Sequence, residues 1–86
     1  MRLDKYLKVS RLIKRRTVAG EACAGGRVSV NGRRAKASYD VKIGDVIEIR
    51  FGERLLSVEV LSVAEHVGKN EAPALYREQS SKGNSL

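Results

Sequence analysis

The sequence has no tryptophan, one cysteine, one proline and one histidine, and aromatic residues make up only 5% of it. Each scarcity excludes something. A lone Cys23 closes no internal disulfide, so the chain is not a disulfide-stapled secreted domain, and a cytoplasmic setting is expected. Its neighbours Ala22 and Ala24 read it as a small buried apolar residue rather than a reactive thiol. His66 stands without a second histidine or a nearby cysteine, so neither a zinc site nor a catalytic triad is expected. The ten acidic residues are scattered and make no defensible catalytic pair. No apolar run is long enough for a membrane span or a signal-peptide core, and neither is expected. Without tryptophan, aliphatic side chains must fill the core, and a chain of 86 residues builds a modest one as a single domain.

Acid is scarcest at the amino end. The first sixteen residues hold Arg2, Lys5, Lys8, Arg11, Lys14, Arg15 and Arg16 against Asp4 alone. That segment carries +6 of the formal net charge of +7. A solvated helix face interleaves acids that relieve repulsion through i,i+4 pairs, and this one does not. Solubility would be served as well by scattered charge. The asymmetry points to a polyanionic partner, nucleic acid before anionic membrane.

The elements read in order. "RLDKYLKV" predicts a short helix with Leu3, Tyr6 and Leu7 on one face. The period breaks near Ser10, which places a turn at about residues 9–13. A second helix is expected from Thr17 as its cap, with Val18, Ala19, Ala22 and Cys23 as its buried stripe. Gly20 weakens that helix, and Gly25-Gly26 stop it.

From residue 27 the period becomes two. "RVSV" predicts a strand, Asn31-Gly32 a tight hairpin turn and "RRAKA" its return arm. A turn at Gly44-Asp45 precedes a strand over Val46–Phe51, and "LLSVEVLSV" is expected as the last strand. The fold class is α+β: two short N-terminal helices packed on a small, mostly antiparallel sheet of four or five strands. The domain is placed at 1–63. Residues 64–86 are expected as an extension, with "APALYRE" helical and docked by Leu75 and Tyr76, then a flexible, disordered end.

The basic cluster leads into the second helix, whose free N–H groups attract anions. Arginine adds a planar fork that grips phosphate oxygens in pairs. The second helix is small and apolar, unlike a base-reading recognition helix. Phosphate and shape recognition therefore fits structured RNA, whose deep major groove hides its bases. Tyr6 and Tyr39 are open to two readings, base stacking or, more naturally, the core.

"RLDKYL", the basic turn "SRLIKRR", the small-residue helix ending "GGRVSVNG" and "VKIGDVIEI" occur in that order over residues 2–49. Together they resemble the RNA-binding domain named after small-subunit ribosomal protein four, the αL RNA-binding motif. Within it the chain is similar to the small single-domain RqcP-type group and to the related fifteen-kilodalton heat-shock proteins. Gly20 departs from the pattern, where a helix former is expected.

The resemblance implies a non-enzymatic factor of ribosome-associated quality control. Such a factor binds the large ribosomal subunit carrying peptidyl-tRNA, contacts large-subunit ribosomal RNA and holds the tRNA in the peptidyl site. It works beside an RqcH-type factor that adds C-terminal alanine tails, and it needs no cofactor or metal. The free chain is expected as a monomer.

Carried over, Arg2, Lys5, Lys8, Arg11, Lys14, Arg15 and Arg16 face RNA, with Arg2 and Arg16 foremost. Asp4 orients Arg2 or a base, or simply places negative charge at a helix start. Arg27, Asn31 and Lys36 are weaker RNA-binding candidates, and for Asn31 the turn is the stronger explanation. The alternatives are recycling of blocked large subunits, an RNA-modifying system, and a DNA-associated or membrane-surface protein.

Overall fold

A computed structural model describes residues 1–63 and 75–79. Two helices, α1 (Leu3–Val9) and α2 (Arg16–Ala24), precede five strands: β1 (Val28–Val30), β2 (Arg33–Arg34), β3 (Val46–Phe51), β4 (Arg54–Val60) and β5 (Tyr76–Gln79). The strands form one antiparallel sheet in the order β2-β1-β3-β4-β5.

Register follows from the alternating pattern. Val30 pairs with Ile47 and Ile47 with Val58; Val28 pairs with Ile49 and Ile49 with Leu56. These rows share one face, because residues directly opposite in a ladder point the same way. The helices cover that face. Leu3, Tyr6 and Leu7 of α1 and Ala19, Ala22 and Cys23 of α2 are buried with Val28, Val30, Ile47, Ile49, Val58 and Val60 in one core. Each buried aliphatic side chain contributes roughly 1.5–3 kcal/mol. Alanine and cysteine on α2 let it lie close, as their small volumes predict. The β1–β2 hairpin closes through Asn31 (φ 54°) and Gly32 (φ 83°), the paired positive φ of a two-residue turn.

Four expectations need correction. The second helix starts two residues early: Arg15, not Thr17, holds the cap position, with no side-chain capping bond, and Arg16 is the first helical residue. Val18 is 45% exposed. It lies about a quarter turn from the stripe centred on Ala19 and Cys23, at the lip of an open groove. The return arm "RRAKA" is strand only at Arg33 and Arg34, and the Ala35 N–H still donates to the Val28 carbonyl of β1 at 3.1 Å.

The fourth correction concerns the tail. "LLSVEVLSV" is not the last strand, and Tyr76–Gln79 is β5 rather than helix. The free edge of β4 offers unpaired backbone groups, and β5 satisfies them from Ser57 to Val60. Leu75 and Tyr76 do dock: Leu75 is buried, and Tyr76 packs against the core. The Leu75 carbonyl accepts from the Tyr6 hydroxyl at 2.6 Å and from the Leu61 amide at 2.9 Å. The expected disorder of the final residues lies outside the described residues, as do His66 and Pro73.

Candidate nucleic-acid interface

Residues 1–4 are stitched to the 37–41 strap. Leu3 N–H donates to the Tyr39 carbonyl at 2.8 Å and Asp4 N–H to the Ala37 carbonyl at 3.1 Å. The amino-terminal ammonium meets Asp40 at 2.8 Å. This stitching fixes the start of α1 and with it Arg2 and Asp4.

Asp4 is buried, only 7% exposed. Arg2 grips it with two N–H groups, Nε at 3.2 Å and Nη2 at 3.3 Å. The Lys5 backbone N–H donates to it at 2.7 Å. Arg16 Nε approaches from the first residue of α2 at 3.5 Å. One carboxylate thus holds two guanidiniums, and the trio keeps a net positive charge. Burial alone would raise the pKa of Asp4. The bonds from Arg2, the Lys5 amide and Arg16 outweigh burial and hold the carboxyl below the usual aspartate value. Both arginine side chains remain about half exposed, at 55% and 48%. They are aimed from behind and open in front, the arrangement that grips phosphate without losing rotamer freedom at binding.

The other basic residues flank this pair. Lys5 is half-buried, whereas Lys8, Arg11, Lys14 and Arg15 are exposed. Among the described residues none of these last four has an ion pair. Lys8 stands about 9 Å along the α1 axis from Arg2. Arg11 occupies the left-handed region at φ 67°, where a side chain is strained. Its N–H returns to the Lys8 carbonyl at 3.0 Å, and the buried Ser10 hydroxyl bonds the Leu7 carbonyl at 3.3 Å. The tight turn from α1 toward α2 presents Arg11 to solvent.

Asn31, Arg27 and Lys36 fall elsewhere. The Asn31 carbonyl oxygen accepts from the Val46 amide at 2.9 Å, and its amide donates to Asp45 at 3.0 Å. Asp45 also accepts from the Tyr39 hydroxyl at 3.0 Å. Asn31 is therefore a bolt between the hairpin turn and the start of β3. Arg27 and Lys36 are exposed, the first just before β1 and the second just after β2.

Tyr6 is fully buried, and burial pushes its phenol up in pKa. It is a core residue with no face for a base. The sequence reading passed over Arg33 and Arg34, exposed on β2 beside Lys36. Their signal was the arginine doublet directly after the Asn31-Gly32 turn. The Arg34 guanidinium lies over Gly26, so close that a Cβ there would come within 2.9 Å of it.

Among the described residues no group of metal-ligating side chains gathers, and no helix is long and apolar enough to cross a membrane. The arrangement offers fixed, half-open cations, which suit multivalent oxyanions.

Comparison with known proteins agrees with that chemistry. The family model described as the S4 domain matches residues 1–47. The "RQC P-site tRNA stabilizing factor" of Halalkalibacterium halodurans is 60% identical over 88% of the chain and 86% of the relative. The protein of the same description from Streptococcus pneumoniae is 57% identical over the same shares. Among solved structures, the trimeric structure of Vibrio cholerae Heat Shock Protein 15 superposes with a TM-score of 0.85 at 38% identity. That match covers 93% of this chain and 82% of the other.

Proposed function

The chain belongs to the S4 domain family, among relatives described as RQC P-site tRNA stabilizing factors, and on that premise we propose that it is a non-enzymatic RNA-binding factor of ribosome-associated quality control. It acts in the cytoplasm on large ribosomal subunits that carry peptidyl-tRNA. Its basic face bridges large-subunit ribosomal RNA and the backbone of the peptidyl-site tRNA. By holding that tRNA it supports C-terminal alanine tailing by an RqcH-type factor on the same particle. The free chain works as a monomer.

The observation that carries this reading is the Asp4 carboxylate holding Arg2 and Arg16 together at the helix starts. Two oriented forks can take phosphates of two strands at a fixed separation, which flexible surface lysines cannot do. Lys8, Arg11, Lys14 and Arg15 extend the contact without fixing it. Identity of 60% to a tRNA-stabilizing relative, against 38% to the heat-shock structure, favours the tailing role over subunit recycling.

The test is recovery of the tagged chain from lysate. Large subunits with peptidyl-tRNA are expected with the intact chain and lost with Arg16→Ala. Recovery of free RNA or DNA in place of large subunits would overturn the reading. With five or six phosphates contacted, log affinity should fall with log salt at a slope of roughly −4 or steeper. A slope near zero would remove the basic face from the interface.

A further inference from the structure

A groove of about 510 Å³ runs between the start of α2 and the turn joining β3 to β4. Pockets for small-molecule ligands occupy roughly 300–1,000 Å³. Its floor is the buried pair Ile13 and Ile49, and its lips are Val18 and Phe51, 45% and 44% exposed. Single exposed apolar residues are ordinary, but here two border one concavity. Phe51 is the chain's only phenylalanine, and it ends β3 beside solvent.

Lys14, Arg27 and Arg50 line the same groove, opposed by Glu21 alone. Among the described residues none of the three cations is ion-paired. The backbone sets two of them side by side. Arg27 N–H donates to the Ala22 carbonyl, and the Arg27 carbonyl accepts from Arg50 N–H, each at 2.9 Å. Lys14 belongs to the N-terminal basic segment, so the groove continues the charged face.

We propose that this groove receives one unstacked nucleobase of the bound RNA. The base stacks on Phe51, and its flanking phosphates lie on Lys14, Arg27 and Arg50. An apolar slot rimmed by three cations and one acid selects a flat apolar group carried on an anionic backbone. A nucleotide in a single-stranded loop or bulge has that form, whereas a paired base does not expose its face. The proposal rests on the RNA-binding reading and adds a preference for an extruded base to it.

Three probes test it with the full chain: a short RNA strand with 2-aminopurine at its centre, the same strand with an abasic centre, and an RNA duplex of equal charge. The base-bearing strand should bind about tenfold tighter than its abasic twin, with 2-aminopurine fluorescence quenched. Phe51→Ala should abolish that preference and the quenching while leaving duplex affinity unchanged, and Phe51→Tyr should retain both. Equal affinity of the intact chain for the two single strands, with duplex binding intact, overturns the base site and leaves the RNA reading standing. No binding to any probe overturns both. Loss of large subunits by Phe51→Ala with the base preference kept would give the groove to a ribosomal protein segment and overturn the proposal.

Discussion

Arg16 Nε stands 3.5 Å from the Asp4 carboxylate, joining the first turn of α2 to the first turn of α1. The same carboxylate is chelated by Arg2. A single buried acid therefore sets the spacing of the two arginines that the proposed function needs most. On the proposed function it serves as a positioning residue, whose worth is geometric rather than a matter of net charge.

Geometry and charge predict opposite outcomes for Asp4→Asn. That substitution raises the net charge by one. If charge alone governed binding, affinity for RNA would rise. We expect it to fall, because Arg2 and Arg16 lose their common anchor. Stability should drop by about 1–3 kcal/mol as the charged bonds weaken. Affinity and the urea midpoint, measured on the same preparation, decide the matter. Tighter binding would refute the positioning role.

Arg11 separates stability from binding in the other direction. Its φ of 67° suits glycine better than arginine. Arg11→Gly should leave stability unchanged or raise it by up to about 1 kcal/mol, while weakening RNA binding through the lost charge. Arg11→Ala keeps the strain and should not gain. Thermal melts of the two variants beside their salt-titrated affinities make the comparison.

Gly20 sits in α2 where a Cβ would meet nothing within 4 Å. Gly20→Ala should therefore stabilise the helix by about 0.5–1 kcal/mol. That corresponds to a rise of roughly 4–8 °C in Tm per kcal/mol for a domain of this size. RNA affinity should not change. A lower Tm would show that the helix needs the glycine for a reason other than space.

Acid should weaken the fold through two aspartates. For Asp45, as for Asp4, burial raises the pKa but bonding outweighs it: the Lys42 amide, Asn31 and Tyr39 all donate. Both carboxyls titrate below 3.8, the ordinary value, when folded. The unfolded chain thus takes up protons first as pH falls. Stability from these groups is complete above about pH 4–5 and is lost as pH falls through their folded values. Urea midpoints taken from neutral pH downward should show this loss, and the double variant Asp4→Asn/Asp45→Asn should flatten it. An unchanged slope in the double variant would assign acid unfolding to other groups.

Much of the fold was legible because its causes are local. Asn31-Gly32 makes a two-residue turn wherever it stands between alternating strands, and Val28, Val30, Ile47 and Ile49 point inward by period alone. Leu3, Tyr6 and Leu7 share a face by helical spacing, and they are buried. The start of α2 misled because Thr17 lies inside the helix, and the cap position is held by Arg15 with no side-chain capping bond. The helix expected over "APALYRE" misled at Tyr76–Gln79 because so short a segment has little preference of its own. The open edge of β4 decided its conformation.

The candidate site divides along the same line. Composition and charge order determined that the amino end is a cationic surface, since each residue there carries its charge into any fold. Short-range pattern also determined the helices and the hairpin that frame it. Only the tertiary structure decided that Asp4 faces Arg16 as well as Arg2, that Asn31 is occupied with Asp45, and that Phe51 borders a groove with Arg27 and Arg50. Asp4 and Arg16, Asn31 and Asp45, and Arg27 and Phe51 lie far apart along the chain. Their meeting depends on how α1, α2 and the sheet bury a shared core, which no window of sequence a few residues long contains.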